Sequence, residues 1–318
     1  MIPPSKFGRV TLWAVLVEGV IITALESTIC ALLVNNAKET PLAQTSARGI
    51  PVYLVIFIFA QLFQIILCWD AVWHKNTIQI IGLILFNLCI CGYSIFQYTQ
   101  ILSAIQTIFN NFPSTDLQVA RGILLSMPVI AFSFQFVLFF LGWRLYKEYG
   151  WKIYKTIGAD PKMRTMYRYY QIMLLLLKLD VFFVFGFGIQ YVVLILDPTS
   201  AEFYLTVIMF PIMMVLLAAA VYAIRKEDKV ITYLFLLGLA LGMGYLIFKI
   251  VRISTDPSSF LDTAHFLTFF ASISLMLCIL TFINAIICLR SFGCGMKQHL
   301  SSRTEARDIS SFPSARNI

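Results

Sequence analysis

The chain reads as an all-α protein: a polytopic bundle of about eight membrane-spanning helices, with N- and C-termini both cytosolic. Three observations predict it. Of 318 residues, 59% are hydrophobic and only 13% charged, against roughly 25% charged in soluble domains. Eight apolar stretches each reach the ~20 residues that a helix needs to cross a hydrocarbon core of about 30 Å. None alternates apolar and polar residues as a barrel strand does, and only helices or closed barrels satisfy their backbone groups in lipid.

The first stretch, 10–34, follows Lys6 and Arg9. It is too long for the short apolar region of a signal peptide and reads as a retained span. Then come 51–74, 77–101 and 122–146, the last with Pro128 as a predicted kink. The fifth is 169–196, where Gly186 and Gly188 permit close helix approach or loosen the helix beside Gln190. The sixth, 203–224, holds Pro211 as a second predicted kink. In the seventh, 230–252, Gly238 and Gly242 form a small-xxx-small spacing followed by Gly244. The eighth is 262–289. The seven cysteines (30, 68, 89, 91, 278, 288, 294) lie in apolar runs or just past the last, and read as packing residues without a disulfide.

Orientation follows from Lys and Arg in short loops, which favour the cytosol. Segment 144–168 holds Arg144, Lys147, Lys152, Lys155, Lys162, Arg164 and Arg168, whereas Asp197–Glu202 has no basic residue. Arg225, Lys226 and Lys229 follow, then a sparse 255–261 connection, then a basic tail. This alternation sets both termini in the cytosol. Lys38 and Arg48 stand against it, on the side predicted to be outside.

Within 144–168, Tyr146, Tyr149, Ile153 and Ile157 recur at helical spacing, with Glu148, Lys152 and Lys155 on another face. The pattern predicts an interfacial helix on the cytosolic leaflet, ended near Gly158 and Pro161. Lys147, Lys152, Lys155, Lys162 and Arg164 are then candidate contacts for anionic phospholipids, at about 1 kcal/mol each. A plain positive-inside anchor is the blander account. The Ser-rich tail, 291–318, lacks apolar periodicity and is predicted to be a disordered cytosolic segment, solvated or open to trafficking partners. Cys288 and Cys294 flank the end of the last span, where palmitoylation is a weak expectation.

Charge at mid-membrane costs about 2.5–3.5 kcal/mol on insertion scales, so charged residues inside spans are functional suspects. These are Glu18 and Glu26 in the first span, and Lys178 and Asp180 in the fifth. Gln61, Gln64, Asn87, Gln135, Gln190 and Asn284 add neutral amides. The candidate polar site is Glu18, Glu26, Gln64, Asn87, Gln135, Lys178, Asp180 and Gln190. At 1.5 Å per residue, Glu18 and Lys178 lie roughly 12–13 Å from the cytosolic start of their spans, and Gln64, Asn87, Gln135 and Asp180 at roughly 14–16 Å. That predicts one polar layer. Lys178 and Asp180 point to opposite sides of their helix and cannot pair with each other. Glu18 is the best depth match for Lys178. Asp70 and Lys249, near span ends, are read as interfacial or snorkelling residues.

No His, Cys, Asp and Glu cluster has metal-ligand spacing, and no nucleophile elbow, phosphate loop or dinucleotide fingerprint occurs. Asp180 lacks a second intramembrane carboxylate in a GxGD context, which disfavours an aspartyl protease. The basic charge sits in cytosolic loops, so no nucleic acid is expected. Neither is a cofactor or an enzymatic activity.

Residues 158–195, GADPKMRTMYRYYQIMLLLLKLDVFFVFGFGIQYVVLI, carry a recognisable pattern. Together with the first span bearing Glu18 and Glu26, the QIIGLILFN run and the Phe-Gly-Cys-Gly-Met-Lys segment, they resemble a fungal family of multi-pass Golgi apparatus membrane proteins. The resemblance implies a Golgi or related endomembrane protein. It assigns no catalytic or ligand residue.

Two functional expectations follow. One is a transporter-like module built on the Glu18, Lys178 and Asp180 layer. The other is a trafficking or scaffold protein acting through the basic loop and tail, with the polar layer structural. A lipid-handling enzyme without a recognisable motif is a weaker third.

Overall fold

The computed structural model describes residues 5–37, 49–108, 113–157, 161–194, 201–255 and 264–293. Among them are eight helices: α1 (Lys6–Ala37), α2 (Gly49–His74), α3 (Thr77–Ile108), α4 (Ser114–Ile157), α5 (Pro161–Leu194), α6 (Ala201–Lys226), α7 (Lys229–Thr255) and α8 (Ala264–Arg290). All eight are long and apolar enough to cross a membrane. Each predicted stretch coincides with one of them. Most helices run further, because lipid ends an apolar run before it ends a helix. Pro128 and Pro211 each sit inside one continuous helix.

One predicted element differs. Residues Trp143–Ile157 are not a separate interfacial helix; they continue α4 without a break. Nothing in that stretch stops a helix, since a lone Gly150 costs only about 1 kcal/mol. Pro161 then opens α5 at its first position, where a missing N–H is harmless. Residues 158–160, and 294–318 of the tail with Cys294, lie outside the described residues.

Two connections are only two residues long, and they use the same chemistry. At Lys75–Asn76, Lys75 adopts the left-handed conformation (φ 51°) and the Asn76 amide bonds back to the Ala71 carbonyl at 3.0 Å. Asn76 Oδ1 then accepts from the Ile78 amide at 3.0 Å, capping α3. At Glu227–Asp228, Glu227 has φ 58°, the Asp228 amide reaches the Ala223 carbonyl at 2.9 Å, and Asp228 Oδ1 accepts from the Val230 amide at 2.9 Å. Each turn ends one helix by a Schellman-type bond and starts the next by an Asx cap. Each yields an antiparallel helical hairpin, α2–α3 and α6–α7.

The helices close into two four-membered rings. In the first, α1 packs on α2, α2 on α3, α3 on α4, and α4 back on α1. In the second, α5 packs on α6, α6 on α7, α7 on α8, and α8 back on α5. The two short hairpins occupy the equivalent place in each ring. Residue pairs fix the directions. Arg144 in the second half of α4 lies over the Phe7 ring at the start of α1, while Asn36 at the end of α1 donates to Asp116 at the start of α4.

Helix α5 joins the rings by packing on both α2 and α3. The seam is aromatic. The Phe182 ring lies 4.9 Å from Phe63 and 4.9 Å from Phe86, and Tyr93 meets Phe270 edge-on at 5.7 Å. Such pairs add about 0.5–1.5 kcal/mol each beyond burial. A Cβ on Gly186 would come within 2.6 Å of the Phe270 ring, so α5 and α8 approach this closely because the residue is glycine.

Arg9, Lys75, Arg144, Arg225, Lys226 and Arg290 all fall at the end of the bundle where α1 begins. There Asn76 at the α2–α3 turn donates to Gln171, ten residues into α5. Helix α5 therefore starts roughly 15 Å beyond that turn. At the same end, α4 runs to Ile157, past Tyr149, whose hydroxyl lies against Gly8. The α4–α5 pair projects from the basic face.

Gly186→Val is expected to destabilise the protein by about 1–3 kcal/mol through overpacking against Phe270. Gly244→Ala, whose added methyl meets nothing within 4 Å, should leave the melting temperature unchanged or raised. Thermal unfolding of both variants in detergent checks this.

Candidate functional site

Each of the eight sequence-predicted polar residues has a defined place, and they do not form one layer. They divide into three groups, one inside each ring and one at the seam.

The first ring encloses Glu18, Gln61, Gln64, Asn87 and Gln135, all buried, with Glu18, Gln64 and Asn87 at 0% exposure. All four helices contribute. Gln64 Nε2 donates one hydrogen to Glu18 Oε2 at 3.1 Å and the other to Asn87 Oδ1 at 3.2 Å, which exhausts that nitrogen. Gln135 Nε2 donates to the Ile84 carbonyl at 3.4 Å, one turn along α3 from Asn87. Glu18 Oε1, Gln64 Oε1, Gln135 Oε1, Asn87 Nδ2 and Gln61 Nε2 are left buried without partners. Two turns further along α1, Glu26 accepts from Gln97 Nε2 on both oxygens, at 2.8 and 3.0 Å.

Lys178 is not the partner of Glu18. It pairs with Asp70 of α2 at the seam, and Asp70 Oδ1 also meets His74 Nδ1 at 2.9 Å. Depth misled the pairing because α5 is offset along the bundle from α1, so similar counts from the starts of their apolar stretches, 169 and 10, do not mean similar depth. Lys178 stands level with a residue one turn from the end of α2, near the basic face, and both side chains are partly exposed. Asp70 is therefore an ion-pair partner rather than a lone interfacial residue.

In the second ring Asp180 is fully buried, and its Oδ2 accepts from Thr281 Oγ1 of α8 at 2.6 Å. Its other oxygen has no partner. Gln190 is also buried, with both polar atoms unpartnered. Next to it Tyr191 accepts from Lys249 Nζ at 2.6 Å, and that ammonium lies over the rings of Tyr191, Tyr245 and Phe248. Lys249 is 1% exposed, so it does not snorkel.

Among the described residues no cationic side chain lies within ion-pair distance of Glu18, Glu26 or Asp180. All three carboxyl groups are held by neutral donors alone, in surroundings where an unpaired charge is costly.

Sequence reasoning missed Gln97, Thr281, Tyr191 and the capping role of Asn76. Gln97 left a signal: a second amide on α3 ten residues past Asn87 can follow two acids eight apart on a parallel α1. Thr281 and Tyr191 left none, because a hydroxyl in an apolar run commonly bonds within its own helix.

The basic residues expected to meet anionic lipid are spread along the projecting pair. Lys147 is exposed and lies over the Trp143 ring at 3.9 Å, Lys162 is exposed, and Arg164 is half-buried. The side chains of Lys152 and Lys155 lie outside the described residues. Cys288 is buried, so its thiol is not presented for acylation.

A double-mutant cycle separates the pairings. Asp70→Asn and Lys178→Met should couple by about 0.5–3 kcal/mol, whereas Glu18→Gln and Lys178→Met should add to within about 0.5 kcal/mol. Chemical or thermal unfolding in detergent supplies the four stabilities.

A UPF0658 Golgi apparatus membrane protein of Schizosaccharomyces pombe is similar to this chain, 30% identical over 276 residues that span 79% of this chain and 78% of that protein. No family model and no solved structure matches the chain.

Proposed function

The chain belongs to the same family of Golgi apparatus membrane proteins, and from that premise we propose that it is an ion-coupled carrier module whose coupling groups are Glu18, Glu26 and Asp180. As an integral multi-pass protein of the Golgi membrane, it separates two aqueous compartments. The observation that carries the reading is three fully buried carboxyl groups, at membrane depth, held only by neutral donors. A structural ion pair would supply each with a cation, and a packing device would use apolar side chains at lower cost. A carboxyl group without a fixed counter-ion is open to a proton or a mobile cation, which is what coupling requires. The reading is non-enzymatic. In it the basic face looks to the cytosol, as the positive-inside rule requires, and the α4–α5 projection meets anionic lipid headgroups.

A trafficking or scaffold role is the second reading. The projection of α4 and α5 beyond the α2–α3 turn favours it, as an extended basic surface offered to a partner.

The full chain reconstituted in liposomes, with a trapped pH-sensitive dye and an imposed proton or alkali-ion gradient, tests the carrier. Flux above that of empty liposomes is expected, with most of it lost in Glu18→Gln and Asp180→Asn. Flux equal to empty liposomes, or unchanged in both variants, would sink the carrier and leave the scaffold reading.

A further inference from the structure

The centre of the first ring is an unfinished polar cluster. Glu18, Gln61, Gln64, Asn87 and Gln135 come from all four helices and are nearly or fully inaccessible. In a self-sufficient buried network every donor meets an acceptor, and a half-satisfied one is worse than an apolar core. Here Gln64 Nε2 bonds both Glu18 and Asn87, and the Asn87 side chain also interacts with the Glu18 carboxyl, but these contacts leave part of the cluster open. Three oxygens, Glu18 Oε1, Gln64 Oε1 and Gln135 Oε1, remain buried and unpartnered. The Ile84 carbonyl, which carries a second lone pair, accepts from Gln135 one turn along α3 from Asn87.

We infer that this cluster binds one monovalent alkali-metal cation. The ligand class follows from the donors. Carboxylate, carboxamide and carbonyl oxygens are hard ligands, suited to hard cations and to no soft metal. Charge decides the valence. Glu18 is the one acid among the five residues, so a singly charged ion leaves the site neutral, whereas a divalent ion would leave a net positive charge in an apolar interior. Two amide nitrogens, Asn87 Nδ2 and Gln61 Nε2, are open as well, but an anion would sit against the Glu18 carboxylate with no ammonium or guanidinium in the cluster to offset the repulsion. The ion would complete the carboxyl and amide oxygens that the protein leaves open.

The inference deepens the carrier reading, but it is tested on binding rather than on flux. Thermal unfolding of the purified full chain is measured in Na+, K+, Li+ or choline chloride at one ionic strength. Binding of radioactive 22Na+, with the other alkali ions as competitors, is measured in parallel. One alkali ion should raise the melting temperature saturably over choline. The shift should vanish in Glu18→Gln and shrink in Gln135→Leu, and it should persist in Glu148→Gln, an exposed acid of α4 outside the cluster.

Equal melting in all four salts together with no 22Na+ binding would overturn the site. So would a shift that survives in Glu18→Gln. Stabilisation by acid alone, in place of any alkali ion, assigns the carboxyl a proton and overturns the metal cation. If Glu18→Gln does not fold, saturable 22Na+ binding to the native chain, weakened by Gln135→Leu, decides. Binding without flux would keep this site and remove the carrier; flux without binding would do the reverse.

Discussion

Hydrocarbon offers no hydrogen-bond partner, and most of this architecture answers that constraint. Backbone groups are closed within eight helices, and both two-residue turns cap the helix ends they join. Hydroxyls that face lipid bond back to their own helix, as Thr28 does to Ala24 and Ser133 to Val129. Polar side chains too long or too charged for that turn inward, where another helix must meet them. The two rings enclose their acids for this reason.

The seam between the rings solves a different problem. Association of helices in lipid gains nothing from the hydrophobic effect, because lipid tails are as apolar as leucine. Shape and specific contacts must therefore hold the halves together. Stacked, tilted and edge-on phenylalanines of α2, α3, α5 and α8 supply the shape, with Gly186 letting α8 come close to α5. Asp70 with Lys178, and Asn76 with Gln171, supply register near the basic face. Asn76 ties two levels together, since one end of its amide caps α3 and the other holds α5.

The three buried acids are not held alike. Glu26 accepts from a single amide on both its oxygens, while that amide's own Oε1 has no partner. Glu18 and Asp180 are each satisfied on one oxygen and open on the other. Buried polar atoms without partners are rare in native proteins because each costs about 1–3 kcal/mol. They concentrate around Glu18 and along α5, which is the observation that the proposed carrier reading rests on.

The sequence by itself determined the number, type and approximate bounds of the spans, since length and apolarity are properties of a single helix. It also singled out Glu18, Glu26 and Asp180, because an acid within an apolar run stands out without any knowledge of its neighbours. Only the tertiary structure decided who meets whom. Depth along each span was a poor guide, because α4 and α5 begin or end outside the rest of the bundle. Depth alone sets Lys178 beside Glu18 rather than Asp70, and apolar periodicity alone makes a separate helix of the basic stretch after Trp143. A place near a span end makes Lys249 a snorkelling residue, whereas the rings of Tyr191, Tyr245 and Phe248 enclose it. Partner choice depends on how helices are offset and rotated against one another. That information lies between helices, in the packing of side chains such as Gly186 on Phe270, and in no single apolar run.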